Sequence, residues 1–261
     1  MRNFGRSVTV MIDGAAFSSQ DFTIEGTVPF DADAVPNEAE IKIWNLSPQT
    51  ISRFKRNGTL IVNAGYVGDT GTILHGFISN VLTEDDGADW VTTIHVLDSD
   101  DISKREVKSI AYAPKTLASY ILRQMIGQLG LPLANMTLVR DYRYEEGYTA
   151  DGLVTDIVQK VAEDCQTAVY INKGRIFAQS IRAGRELFTL SPETGLIGTP
   201  KSFDDGHVAG LNVTSQLQYR ITTASVLDVV SKGKTTRCYV RSGSHKFSMS
   251  GDFVTEVECV L

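Results

Sequence analysis

Apolar and polar residues alternate through most of the first hundred positions. In Glu38-Ala39-Glu40-Ile41-Lys42-Ile43-Trp44, Ala39, Ile41 and Ile43 fall on one face and Glu38, Glu40 and Lys42 on the other. That period of two predicts a half-buried strand. The same alternation marks Arg6 to Ile12 (Val8, Val10) and Thr59 to Tyr66 (Leu60, Val62, Ala64, Tyr66). It continues in Thr72 to Leu82 (Leu74, Gly76, Ile78, Leu82) and Asp89 to Leu97 (Trp90, Ile94, Val96). Gly68-Asp69-Thr70-Gly71 and Asp85-Asp86-Gly87 read as hairpin turns between these runs. The interruption from Ser47 to Phe54 predicts a short helix, with Ser47 as N-cap, Pro48 at the first helical position and Asn57-Gly58 as the stop.

The middle of the chain changes period. Thr116 to Gln128 stacks Leu117, Ile121 and Met125 beside Ala118, Leu122 and Ile126, with Gly130 as terminator. Gly152 to Gln166 stacks Leu153, Ile157, Val161 and Cys165 beside Val154, Val158 and Ala162, leaving Asp156, Lys160, Glu163 and Asp164 outside. Ala168 to Ile171 and Arg175 to Ala178 flank Asn172-Lys173-Gly174 as a hairpin. After about residue 195 the strand pattern returns, in Ala209 to Ser215, Ala224 to Ser231, Arg237 to Arg241 and Asp252 to Leu261. The last run sets Phe253, Thr255, Val257 and Cys259 against Val254, Glu256 and Glu258.

The 261 residues carry a net charge of −6, unevenly spread. Residues 1–100 hold six Lys/Arg against fourteen Asp/Glu, whereas the remainder is slightly basic. An acidic surface does not grip phosphates, which excludes stable nucleic-acid binding as an expectation but suits a wall that nucleic acid passes without sticking. No run approaches eighteen apolar residues and no secretory signal is visible at the start. Cys165, Cys238 and Cys259 are too few and scattered for a disulfide framework and are expected to pack as reduced, small apolar groups.

Candidate chemistry is sparse. His75, His95, His207 and His245 lack partners at metal-ligand spacing. Asp98-Ser99-Asp100-Asp101 begins like a calcium loop but lacks its glycine and closing glutamate. Gly233-Lys234-Thr235 ends like a P-loop, yet Asp228 stands where the first glycine is needed and strands flank it. Cys165 lies on a buried stripe, and Glu145-Glu146 are adjacent rather than opposed across a cleft. We therefore expect no catalytic, cofactor-binding or metal residues, and no enzyme.

The run Asn37 to Pro48, with its strand ending in Asn45-Leu46-Ser47, resembles phage tail proteins, especially baseplate hubs. Ala64-Gly65-Tyr66, Leu74-His75-Gly76-Phe77-Ile78 and Leu97-Asp98 continue that likeness. The helices Lys115 to Gln128 and Gly152 to Asp164, the Tyr170 to Ile176 hairpin, Gly195 to Lys201, and Ser242 to Thr255 resemble the family's second half. The resemblance implies an α+β, mainly β fold: two tube-like β-barrel domains with a small α+β module inserted in the second. Residues 1–100 would form the first barrel, 101–115 with 195–261 the second, and 116–194 the module.

It further implies a homotrimer whose six barrels match the sixfold tail tube or distal tail protein above and a threefold spike or central fibre below. DNA would pass through the lumen without specific binding, with a possible contact to the tape measure protein. Such a protein is made in the host cytoplasm and resides in the virion tail, at the baseplate or tail tip. Because the chain stops at Leu261, a spike or lysozyme domain would have to be another polypeptide. Lys42, Glu38 and Glu40 are candidates for rim or lumen positions. The competing expectations are a tail-associated cell-wall hydrolase, which needs converging carboxylates, and a carbohydrate-binding tail-tip module or chaperone-like adaptor. The latter needs an exposed aromatic patch, for which Trp44 and Trp90 are the candidates. A tube subunit or distal tail protein would carry a single barrel.

Overall fold

A computed structural model describes residues 4–99, 102–204, 206 and 208–261. The first part of the chain forms β1 (Arg6–Ile12), β2 (Ala15–Ser18), β3 (Ile24–Phe30), β4 (Glu38–Trp44), α1 (Pro48–Ile51), β5 (Thr59–Tyr66), β6 (Asp69–Asp86) and β7 (Asp89–Leu97). Ser47 caps α1 by accepting the Thr50 amide. The middle forms β8 (Glu106–Tyr112), β9 (Thr116–Leu117), α2 (Ala118–Leu129), β10 (Leu133–Thr137), β11 (Arg143–Tyr144), β12 (Tyr148–Leu153), α3 (Val154–Asp164), β13 (Ala168–Asn172) and β14 (Arg175–Gln179). The last part forms β15 (Leu187–Leu190), β16 (Leu196–Asp204), β17 (Ala209–Gln216), β18 (Val226–Ser231), β19 (Lys234–Ser248) and β20 (Phe253–Val260). Strands make up 56% of the chain and helices 12%, so the fold is mainly β with a helical minority, as expected.

Thirteen strands join in one sheet, in the order β16-β17-β20-β19-β3-β4-β7-β6-β5-β1-β2, with β18 on β19 and β15 on β18. The long strand β19 links the two halves. Its first residues pair with β18 (Tyr239 opposite Val226), and its last pair with β3, from Gly243 opposite Phe30 to Ser248 opposite Glu25. Strand β20 occupies its other edge. Two cores sit against this sheet. One gathers Val8, Ile24, Ile41, Leu60, Leu74 and Ile94 with Phe247 and Phe253 from the last strands. The other gathers Leu190, Leu211, Leu227, Val240 and Val257 with Phe30 from β3. Each core thus receives an aromatic ring from the other half of the sequence.

The first half of the sheet curls round. Arg6 of β1 reaches the carbonyls of Ser248 (2.8 Å) and Gly251 (2.7 Å), although β1 lies six places from β19 in the strand order. Tyr66 of β5 packs edge-on against Phe253, ring centroids 5.3 Å apart. Among the described residues no ladder joins β1 or β2 back to β3, so side chains rather than backbone bonds span that gap.

The helices and their hairpin form a third core. Ile121, Leu122, Met125 and Ile126 of α2 meet Val154, Val158 and Val161 of α3 over Val169, Ile171 and Ile176. The chain leaves α2 at Gly130, whose φ of 65° is the left-handed turn that a glycine adopts at little cost.

Several expectations need correction. The stretch 101–115 is expected in the second barrel, but its strand β8 pairs with β12, and Ile102 and Val107 pack in the helical core. Two exposed-edged short strands satisfy each other there, which the local pattern could not reveal. Residues 187–190, assigned to the module, instead pair in parallel with β18. The hairpin turn expected at residues 68–71 closes earlier, with Tyr66 opposite Asp69 and Val67-Gly68 as its loop. Finally, alternation groups Leu82 with Leu74 and Ile78, yet it is 47% exposed. A bulge between Ile78 and Asn80 shifts the register by one, so Val81 faces the core instead.

Candidate functional site

Because β19 joins β3 directly, polar residues from both halves align on the sheet face away from the two cores. Lys246 lies opposite Thr27, Thr27 opposite Glu40, and Glu40 opposite His95. The neighbouring row sets Ser248 opposite Glu25 and Glu25 opposite Lys42. Toward the other edge, Thr214, Glu256 and Ser244 form one cross-strand row, and Asn212, Glu258 and Ser242 another. Directly opposed residues project to the same side of a sheet, so these rows form one polar band from β17 to β7.

Ion pairs run along the band. Lys42 contacts Glu40 at 3.0 Å and Lys246 contacts Glu256 at 2.7 Å, while Arg241 pairs with Glu258. Glu38 accepts a hydrogen bond from Ser79 at 2.9 Å and stands 3.9 Å from His95. The Glu256 carboxylate holds the Lys246 amine above its ordinary pKa. These groups are half-exposed, so each pair contributes little to stability. Their effect is a hydrated, partly neutralised surface with more carboxylates than cations. Glu38, Glu40 and Lys42, the positions selected from sequence, all lie in it. Lys246, Glu256 and Glu258 were missed as site residues. The alternation around Glu256 was visible, but the β3–β19 pairing that brings it alongside Glu40 was not.

The remaining candidates do not converge. His75 is exposed on β6, His95 is half-buried, and His245 is buried; His207 lies outside the described residues. Asp98 is buried and accepts the Asn37 amide at 3.0 Å, while Asp100 and Asp101 lie outside the described residues. Among the described residues no group of three or more His, Cys, Asp or Glu could hold a metal. Gly233 lies with Lys232 in the tight turn between β18 and β19, and Asp228 pairs with Arg237 at 2.8 Å. Glu145 and Glu146 are exposed neighbours before β12. Cys165, Cys238 and Cys259 are buried and free, and burial pushes the Cys165 thiol up. A side-chain hydrogen bond with Cys238 raises that of Cys259 first, with burial adding to it.

The two tryptophans differ. Trp44 is half-buried and donates its indole N–H to Asp86 at 2.8 Å. Trp90 is 41% exposed, donates to the Leu46 carbonyl at 2.9 Å, and lines a shallow cavity of about 510 Å³ with Pro48, Ile51 and Thr83.

No protein-family model and no curated protein matches the chain in sequence. Its fold is not isolated. A tail protein from Neisseria meningitidis MC58 superposes with a TM-score of 0.72 at 7% identity, covering 99% of this chain and 97% of that one. The fold is that of phage tail proteins. The 43 kDa tail protein of prophage MuSo2 from Shewanella oneidensis matches with a TM-score of 0.63 at 10% identity, covering 98% of each chain. An E. coli component of the type VI secretion system, itself described as similar to phage T4 tail proteins, matches with a TM-score of 0.61 at 10% identity. It is covered over 74% of its length and this chain over 100%. The likeness to tail proteins therefore spans both sheet halves and the helical module, with almost no residue identity to carry it.

Proposed function

We propose that this protein is a structural hub at the distal end of a phage or phage-like tail. Three copies form a pseudo-sixfold ring from two tube-like barrel units per chain. The ring joins the sixfold tail tube, or a distal tail protein, to a threefold spike or central fibre, and the DNA exit channel runs through it. Its place is the virion tail and its work is assembly, without catalysis. The observation that carries this reading is the single sheet spanning both halves of the chain, with polar rows from both halves on one face. In a ring, that face lines the lumen. Its carboxylate excess repels the phosphate backbone, so DNA slides past rather than binding. Subunit contacts then cover the sheet's ends, β2 and β16, which otherwise expose unpaired backbone. Strand β16 carries Pro200 and a bulge between Ile197 and Lys201. Contacts there accordingly rest on side chains more than on a continued ladder.

Native mass measurement of the purified chain, followed by class averages of the particles, tests this. Trimers averaging to hollow rings with six lobes are expected. A chain that stays monomeric alone and also in the presence of its tail neighbours would overturn it. One observation favours a second reading: the exposed face of Trp90 suits a sugar ring, as a carbohydrate-binding tail-tip module requires. Glycan binding that is lost in Trp90→Ala would favour that module.

A further inference from the structure

A second feature lies away from the polar band, where the three packed parts of the chain meet. A cavity of about 460 Å³ is lined by Thr72 of β6, Asn172 and Lys173 of the β13–β14 hairpin, Arg185 and Glu186 ahead of β15, and the Tyr219–Ser225 segment with Arg220. That size lies within the range of small-ligand sites. Three cations and one carboxylate line it. Arg220 is already paired with Asp69 at 2.9 Å. Among the described residues, Lys173 and Arg185 have no carboxylate within ion-pair distance, as none of the six ion pairs present includes either of them.

Their positions are built rather than incidental. Lys173 sits in the two-residue turn with Gly174, φ 51° and 74°, which aims it back toward the sheet, where its amine donates to the Thr72 carbonyl. One such bond leaves two ammonium protons unused. Burial, and secondarily the Arg185 charge, hold Lys173 below its ordinary pKa. Two like charges kept together in a partly desolvated place are costly unless an anion joins them. Arg185 is fixed over the Phe177 ring at 4.4 Å, and that ring is stacked on Tyr170. Neutral donors complete the wall. The Thr222 hydroxyl accepts from Asn172 at 3.0 Å and the Ser225 hydroxyl accepts from the Thr222 amide at 3.0 Å. Each of these hydroxyls still has its own proton to give.

We propose that this cavity binds a phosphate group, clamped by Lys173 and Arg185 with the Thr222 and Ser225 hydroxyls beside them. A guanidinium matches two phosphate oxygens at once, and a lysine adds a compact charge, so a dianion suits this pair better than a monovalent carboxylate. An ion held there would tie the first sheet half, the helical module and the second sheet half together.

The test is calorimetric titration of the full chain with inorganic phosphate at constant ionic strength, with acetate as the monovalent comparison. Saturable binding of one phosphate per chain is expected, with acetate at least tenfold weaker. Lys173→Met and Arg185→Gln should each weaken phosphate at least tenfold. Phosphate should also raise the unfolding temperature of the native chain but not of either variant. Should Lys173→Met fail to fold, Arg185→Gln, at an exposed position on the cavity's rim, carries the comparison. Absence of saturable phosphate binding, binding no tighter than acetate, or binding unchanged in the folded variants would each overturn the proposal.

Discussion

The ring of Phe30 lies against Gly243, its cross-strand partner where β3 joins β19. A Cβ at residue 243 would stand 2.8 Å from Phe30 Cζ and 2.4 Å from the Glu256 carbonyl. Four positions along, the relation reverses: Phe247 covers Gly26, where a Cβ would meet its ring at 2.6 Å. The junction between the two sheet halves is thus a pair of glycines, each roofed by an aromatic ring from the facing strand. The bare glycine lets the ring cross the strand and reach the core of the other half.

Gly243→Ala is therefore expected to cost about 1–3 kcal/mol, the usual range for overpacking. Urea unfolding measures it. Gly127→Ala on the exposed side of α2, where a Cβ meets nothing within 4 Å, is the matched comparison. It should gain about 0.5–1 kcal/mol from helix propensity. Equal midpoints for both variants would show that the junction is slack.

Arg6 performs at the open side of the curl what hydrogen-bonded strands do elsewhere. Besides its two carbonyl contacts, its guanidinium lies 5.3 Å from the centre of the Phe253 ring. Arg6→Gln should lose about 1–3 kcal/mol, the scale of hydrogen bonds to a charged donor. Hydrogen exchange is the informative readout. Amides of β1 and β2 should exchange faster, while those of β4 and β7, deep in the ladder, keep their protection. Uniform loss of protection would mean that Arg6 supports the whole fold rather than this seam.

Local pattern carried much of the fold. Ala39, Ile41 and Ile43 face inward as their alternation demands, Ser47 caps its helix, and Gly130 ends α2. What escaped was non-local. Nothing in the spelling of Lys234 to Ser248 says that its two ends pair with different strands, so the union of the halves was invisible. Nor did the residues 106–112 announce β12 as their partner. The candidate face was legible in part, because Glu38, Glu40 and Lys42 are polar positions in a strand of known register. Its extension to Lys246 and Glu256 required the β3–β19 pairing. The phosphate cavity was less legible still, as Lys173 and Arg185 belong to separate elements with unremarkable local sequence.

The β6 bulge offers a direct check of register. Sequence alternation puts Leu82 inside, whereas the structure turns Leu82 out and Val81 in. Val81→Ser should destabilise by about 1–3 kcal/mol through lost apolar burial. Leu82→Ser should stay within about 0.5 kcal/mol of the parent, as exposed substitutions do. Thermal unfolding of the two variants side by side decides between registers. The reverse ranking would restore the uninterrupted strand.

Two buried groups give stability opposing dependences on pH. Burial pushes the Asp98 carboxyl from its ordinary 3.8 to about 7, with the Asn37 hydrogen bonds opposing and the Asp31 and Asp33 charges adding to the rise. The folded chain therefore keeps a proton that the unfolded chain releases, and stability falls as pH rises from about 4 to about 7. Asp31, raised by burial first and by Asp33 next, acts in the same direction. His245 does the reverse. It is 2% exposed and bonded through Nδ1 to the Thr255 hydroxyl at 2.9 Å. Burial, with the Lys173 charge adding, holds it at about 3 against an ordinary 6.5. The unfolded chain takes up that proton first, so stability falls as pH drops from about 6.5 toward 3. In the native chain the two slopes offset one another between pH 4 and 6.5. Asp98→Asn should unmask the histidine slope, with stability rising up to about pH 6.5 and then levelling. His245→Gln should leave the carboxyl slope, with stability declining from pH 4 to 7. Urea unfolding at pH 4, 5, 6 and 7 reads both, and profiles parallel to the parent's would show that neither group is held in the protonation state its surroundings demand.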